Sequence, residues 1–173
     1  MNRVILNVAS VLLFAFLFSY TARAQEDKTK RPSPPDSAMG TVAGAHITIK
    51  YSSPAVKGRK IWGGLVPYDS VWRAGANEAT TFETDRDIKV QGQDLPAGKY
   101  GLFAIPGQSS WTIVFNKVPN QWGAFKYDMS KDQLRVTTTP KKSATMNERL
   151  KYRINSNGFS LLWENLEVPV MIQ

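Results

Sequence analysis

From about residue 39 onward, apolar residues arrive in short runs that alternate with polar ones, and Gly, Pro, Asn or Asp interrupts them roughly every ten residues. No stretch carries an apolar stripe of useful length at helical spacing. Side chains on an extended backbone face opposite ways in turn, so this pattern predicts strands and excludes a helical bundle.

Residues 110–117 show the alternation clearly: Trp111, Ile113 and Phe115 are expected on one face, with Thr112, Val114 and Asn116 on the other. In residues 100–105 both faces are apolar, which predicts a central strand covered on each side. Ahead of it, Leu95-Pro96-Ala97-Gly98 supplies a turn, with Pro presetting φ and Gly tolerating positive φ. Near the C-terminus, residues 150–154 and 159–163 flank Asn155-Ser156-Asn157-Gly158, a hairpin signal that places Phe159, Leu161 and Trp163 on one face. Residues 168–172 contain Pro169, which cannot donate to a ladder, so this strand is expected at an edge or to begin pairing after the proline. Residues 46–51, 79–84, 88–90 and 134–138 complete eight or nine strands. The expected fold is all-β, an antiparallel, jelly-roll-like β-sandwich.

The N-terminus has a different character. Arg3 precedes an apolar run over residues 4–18, and Ala22-Arg23-Ala24 closes it with a small-x-small cleavage pattern. Residues 1–24 therefore read as a cleaved secretory signal; the run is broken by Asn7 and Ser10 and falls short of the roughly 20 residues that span a bilayer. Residues 25–38, with charges, three prolines and no large apolar side chain, read as a flexible tether. Residues 39–173 are then one domain, exported to the periplasm or beyond, with no transmembrane anchor after cleavage. The chain has no cysteine, which excludes a disulfide framework and a lipid-modified N-terminus. Its formal charge of +8 falls on loss of Arg3 and Arg23 to 20 basic against 14 acidic residues, a net +6 spread along the chain. Such a surplus favours a solvated surface and attracts anions without identifying a partner. No nucleic-acid module signature is present, and none is expected of an exported chain.

Candidate chemistry concentrates in residues 58–80, GRKIWGGLVPYDSVWRAGANEAT. Small residues there strip away bulk around Arg59, Arg73, Asn77 and Glu78, with Trp62 and Trp72 close by. Arg73 and Glu78 are expected to pair. These groups form either a polar pocket, with arginine gripping an anionic or hydroxyl-rich ligand, or a crossover loop pinned by buried polar bonds. Of the five tryptophans, Trp111 and Trp163 belong on apolar strand faces, whereas Trp122 sits in a loop and is the better candidate for stacking on a ligand. His46 is the only histidine, and the sequence supplies it with no orienting carboxylate. No metal site is expected, and Glu83, Asp85 and Asp87 read as a charged hairpin without calcium-loop spacing. Asp69, Glu78 and Glu164 are the carboxylates that a sugar hydrolase would need to bring together. Phosphate-loop, dinucleotide and nucleophile-elbow motifs are absent, so no cofactor is expected and no catalytic residue is assigned.

The run SSPAVKGRKIWGGLVPYDSVWRAGANEAT, followed by DLPAGKYGLFAIPG, SWTIVFNK, WGAFKYD and DQLRV, resembles the domain-of-unknown-function 2911 family of exported bacterial proteins over nearly the whole chain after the tether. The resemblance implies an exported single-domain protein and carries no established activity. Its hallmark falls on Gly58, Arg59, Gly63, Pro67, Trp72, Arg73, Gly75, Asn77, Glu78 and Thr80. Ser53 stands where some members carry arginine before the proline, which removes the basis for a basic group's role there.

The functional expectation is a non-enzymatic sandwich that binds a ligand or partner at one end, with a glycan or small anionic ligand as the candidate and Arg59, Arg73, Asn77, Glu78 and Trp122 as candidate binding residues. Two alternatives stand beside it: an envelope or extracellular carbohydrate hydrolase using Glu78, and a structural domain with a buried Arg-Glu network.

Overall fold

The computed structural model describes residues 27–173 and is all-β; the signal-peptide expectation falls on residues outside that range. Ten strands form: β1 (Pro35–Val42), β2 (Ala45–Ser52), β3 (Thr80–Thr84), β4 (Ile88–Val90), β5 (Gln93–Leu95), β6 (Gly98–Pro106), β7 (Trp111–Asn116), β8 (Asp132–Thr138), β9 (Lys141–Asn155) and β10 (Gly158–Met171). Six of them make one antiparallel sheet in the order β1-β2-β3-β6-β7-β8. The long β9–β10 hairpin lies against its inner face, and the short β4–β5 hairpin forms a separate pair.

Alternation positions the core as expected. Trp111, Ile113 and Phe115 join Leu102 and Ala104 of β6 in the main core, while Phe103 and Val114 enter a second, smaller cluster on the opposite face of the sheet. The central strand β6 is thus covered on both sides, which is why its residues 100–104 are all buried. The hairpin contributes Leu150, Tyr152, Phe159, Leu161 and Trp163 to the same main core. Aromatic pairs stitch the two layers: Tyr51 to Tyr152 at 4.8 Å and Phe82 to Phe159 at 5.7 Å between ring centroids. Each fully buried side chain of this size contributes about 1.5–3 kcal/mol by leaving water, so this interior supplies the stability that a cysteine-free chain needs.

The turns follow local chemistry with one variation. Ala43 and Gly44 both take positive φ (49° and 78°) between paired Val42 and Ala45, the backbone of a tight two-residue hairpin. At the β9–β10 reversal the two central residues are Ser156 and Asn157, with Gly158 already paired to Asn155. Gly158 is needed for a different reason than the Asn-Gly signal suggests. A Cβ on it would sit 2.0 Å from the Val170 carbonyl oxygen, because the C-terminal end of β10 passes directly behind it. Pro169 lies beyond the last β9 pair, Glu167 with Lys141, and the tail then pairs with β4 through Val90 and Ile172. The ladder therefore resumes after the proline, with a new partner.

The expected tether over residues 25–38 is not free where it is described. Its last residues are the start of β1, with Pro35 opposite Ser52, and Ser53 N donates to Pro34 O at 2.9 Å. Asn77 Nδ2 holds the Ser33 carbonyl at 2.9 Å, and Lys28 and Arg31 reach Glu78. Composition alone missed this because the segment is ordered by backbone and charge partners rather than by burial of its own side chains.

Residues 53–79 cross from β2 to β3 over one end of the sandwich. Trp62 and Trp72 from this crossover meet Trp111 and Trp163: Trp62 lies 4.8 Å from Trp111 and 5.7 Å from Trp163, and Trp72 stacks on Trp163 at 5.8 Å. Polar bonds pin the crossover as well. Trp72 N and O exchange hydrogen bonds with Ala104, Trp72 Nε1 donates to Gly75 O, and Tyr152 Oη donates to Ala74 O at 2.8 Å.

Candidate functional site

Positive φ at Ala74 (52°) and Asn77 (56°) turns the end of the crossover sharply. The expected Arg73–Glu78 pair therefore does not form. Arg73 is half-buried, its Nε has no hydrogen-bond partner among the described residues, and burial lowers its pKa. Glu78 faces the other way, into a groove of about 480 Å³ on the outer side of the six-stranded sheet.

The floor of that groove comes from adjacent strands. Ile49 and Phe82 are committed to the core, so their neighbours Lys50 and Thr81, directly paired across β2 and β3, face outward. Lys99 of β6 completes the floor. One wall is the loop after β7. Glu78 and Trp122 form an isolated antiparallel bridge, with Ala79 N donating to Gln121 O at 2.9 Å and Gly123 N to Asn77 O at 3.0 Å. This pairing holds Trp122 at the rim, 56% exposed, whereas the other four tryptophans are buried. Lys28 and Arg31 line the groove beside Glu78 and Trp122.

Charge is unevenly distributed around this space. Lys28 Nζ lies 2.8 Å from Glu78, and Arg31 Nη1 lies 3.0 Å from its second oxygen. The Arg31 guanidinium also sits 5.9 Å from the Trp122 ring centroid, within cation–π range. Partial burial pushes the Glu78 carboxyl up, but hydrogen bonds from Lys28, its own backbone and Arg31 outweigh it and hold the pKa at about 2. Lys50 and Lys99 form no ion pair among the described residues, although Glu83 stands opposite Lys99 in the β3–β6 ladder. Four cations thus line the groove against one ionised carboxylate.

The five candidate residues separate. Glu78 and Trp122 share the groove. Asn77 supports it from behind through the Ser33 carbonyl. Arg59 is exposed and is spent on its own turn, donating to the carbonyls of Ala55 and Val56. Arg73 lies outside the lining, so neither arginine expected to grip a ligand is placed to do so. The cations that do line it, Lys28, Arg31, Lys50 and Lys99, carried no distinguishing sequence signal. Two lie in the presumed tether, and Lys50 occupies an ordinary polar position of an alternating strand.

His46 does have a carboxylate. Its Nδ1 lies 2.8 Å from Asp85 Oδ2, and its backbone N–H donates to Asp85 Oδ1. These hydrogen bonds lower the Asp85 pKa. The pair is exposed and no nucleophile bonds the ring's other nitrogen among the described residues, so it serves as a clasp between β2 and the end of β3. No group of three or more His, Cys, Asp or Glu side chains gathers among the described residues.

A family model described as protein of unknown function (DUF2911) matches residues 33–172. No curated protein and no solved structure matches the chain.

Proposed function

We propose that this chain, which belongs to the DUF2911 family, is an exported binding protein whose groove between Lys50, Lys99 and Trp122 takes an anionic, hydroxyl-bearing ligand. One observation carries the reading: four cations and a single carboxylate, itself held by two of them, line the groove beside the chain's one exposed indole. Lys50 and Lys99 are available to an incoming anion, Thr81 and the amide of Asn120 suit hydroxyl groups, and the face of Trp122 suits the C–H surface of a sugar or polyol. The volume fits one or two sugar rings or a polyol phosphate rather than a polymer cross-section.

Hydrolysis through Glu78 has weaker support. A general acid must hold its proton near the working pH and a general base must be basic enough to take one, and a carboxyl held at about 2 by two cations suits neither role. Export after cleavage at Ala24 places the new terminus at Gln25, so the groove residues Lys28 and Arg31 would belong to the extreme N-terminal segment of the mature chain. Intact-mass measurement of protein from the producing cell tests that step.

Calorimetric titration with a uronic-acid disaccharide and with glycerol phosphate, against the uncharged disaccharide and glycerol, tests the binding. The expected result is binding of the anionic members alone, weakened about tenfold or more by Lys50→Ala with Lys99→Ala, as loss of two charge-assisted contacts implies. Equal response to neutral and anionic probes, or no binding of either, overturns the proposal.

A further inference from the structure

The loop between β7 and β8 holds four of the eight exposed large apolar side chains among the described residues: Val118 at 40%, Trp122 at 56%, Phe125 at 85% and Met129 at 64% exposure. Looseness does not explain them. Ala124 and Tyr127 of the same loop pack inward on the small cluster containing Phe103 and Val114, with the Tyr127 ring 5.2 Å from Phe103. Tyr127 Oη donates to Asp132 Oδ2, and the bonds to Asn77 and Ala79 pin the groove side of the loop. A pinned loop that packs Ala124 inward while holding Phe125 in water presents apolar side chains outward.

Its charge narrows the occupant. Lys117, Lys126 and Lys131 are exposed on the same stretch, and its one acid, Asp128, is occupied in capping the Ser130 amide. Trp122 belongs both to this loop and to the cationic groove. Aromatic and aliphatic side chains among lysines match a lipid–water interface, where the apolar groups enter the boundary and the cations meet anionic headgroups. A second copy of the chain fits less well, since a symmetric contact would set these lysines against themselves.

We infer that the Val118, Trp122, Phe125 and Met129 side chains dock the protein on the surface of an anionic bilayer, with the adjacent groove taking a phosphorylated polyol headgroup. This rests on the anion-binding reading of the groove and names the source of the ligand as a lipid.

Co-flotation of the mature chain with vesicles of phosphatidylcholine, alone and with about a third phosphatidylglycerol, tests it alongside calorimetry with soluble glycerol phosphate. Binding is expected only to the anionic vesicles, with a blue shift of the exposed Trp122 emission and loss of binding at high salt. Phe125→Ser, whose side chain is outside the groove lining, is expected to lower vesicle affinity about tenfold while leaving glycerol phosphate binding unchanged; Met129→Ser should act in the same direction. Binding of glycerol phosphate without vesicle binding overturns the docking and leaves the groove reading intact, as does vesicle binding indifferent to both substitutions. Failure with both probes overturns the two together. A concentration-dependent dimer abolished by Phe125→Ser, without lipid binding, assigns the loop to a second copy instead.

Discussion

Glu78→Gln separates binding from catalysis, because it keeps the side chain's shape and removes its charge. The carboxylate shares the groove with the proposed ligand, so it repels a bound anion. At a separation of about 6 Å and an effective dielectric constant of about 40, intermediate for an open groove, the repulsion is about 1.4 kcal/mol, or tenfold in affinity. Screening at physiological ionic strength, with a Debye length of about 8 Å, roughly halves that to about threefold. Glu78→Gln is therefore expected to bind glycerol phosphate about tenfold more tightly than the wild type at low salt and about threefold more tightly at 0.15 M salt. Calorimetric titration at the two salt concentrations measures it. The hydrolase alternative instead expects Glu78→Gln to lose turnover on a glycoside panel. Affinity that falls tenfold in the variant, or that is unchanged at low salt, refutes the electrostatic reasoning.

Other perturbations report on the scaffold. Because the Glu78 carboxyl is 40% exposed, its clamp on Lys28 and Arg31 is worth only about 0–1 kcal/mol after solvent screening. Its folded pKa of about 2 lies below the unfolded value of 4.5, so this contribution is full above pH 4.5 and lost as pH falls toward 2; urea midpoints of wild type and Glu78→Gln should converge across that window. Gly158→Ala places a methyl 2.0 Å from the Val170 carbonyl at φ 141°, and should cost about 3 kcal/mol or more in chemical denaturation. Tyr152→Phe removes the buried hydroxyl that donates to Ala74 O, and should cost about 1–2 kcal/mol while leaving the core packed.

The strands most legible in the sequence were those with one face committed to the core. β7 alternates in sequence because its Trp111, Ile113 and Phe115 face the main core, whereas residues 100–104 of β6 and the Phe159–Trp163 part of β10 read as apolar runs because they are buried throughout. β1 was invisible for the converse reason: among Pro35–Val42 only Val42 is buried, and the strand exists because β2 offers it a backbone edge and Ala43-Gly44 offers a turn. The first half of β9 was hidden by the register shifts of β10 around Glu164, which spread its buried positions to Ser143 and Asn147 and break the period of two. Asn147 Nδ2 fills the disturbed ladder by donating to Ser143 Oγ and Glu164 O.

The site was half legible. Trp122 stood out because an aromatic flanked by polar and small residues in a loop has no strand face to serve. Glu78 was found with the wrong partner. Arg73 is near in sequence, but two positive-φ residues between them send the side chains apart, while Lys28 and Arg31, about fifty residues earlier, arrive by chain topology. Spacing along a chain carries no information about such an encounter. Family membership, shown over residues 33–172, adds no reaction.

Amide and indole NMR shifts during titration with glycerol phosphate test the central claim most directly. Perturbations confined to Lys50, Thr81, Lys99, Gln121 and the Trp122 indole, with the Arg59 and Arg73 amides unmoved, are the predicted result; shifts centred on residues 58–73, or scattered over the surface lysines, would contradict it.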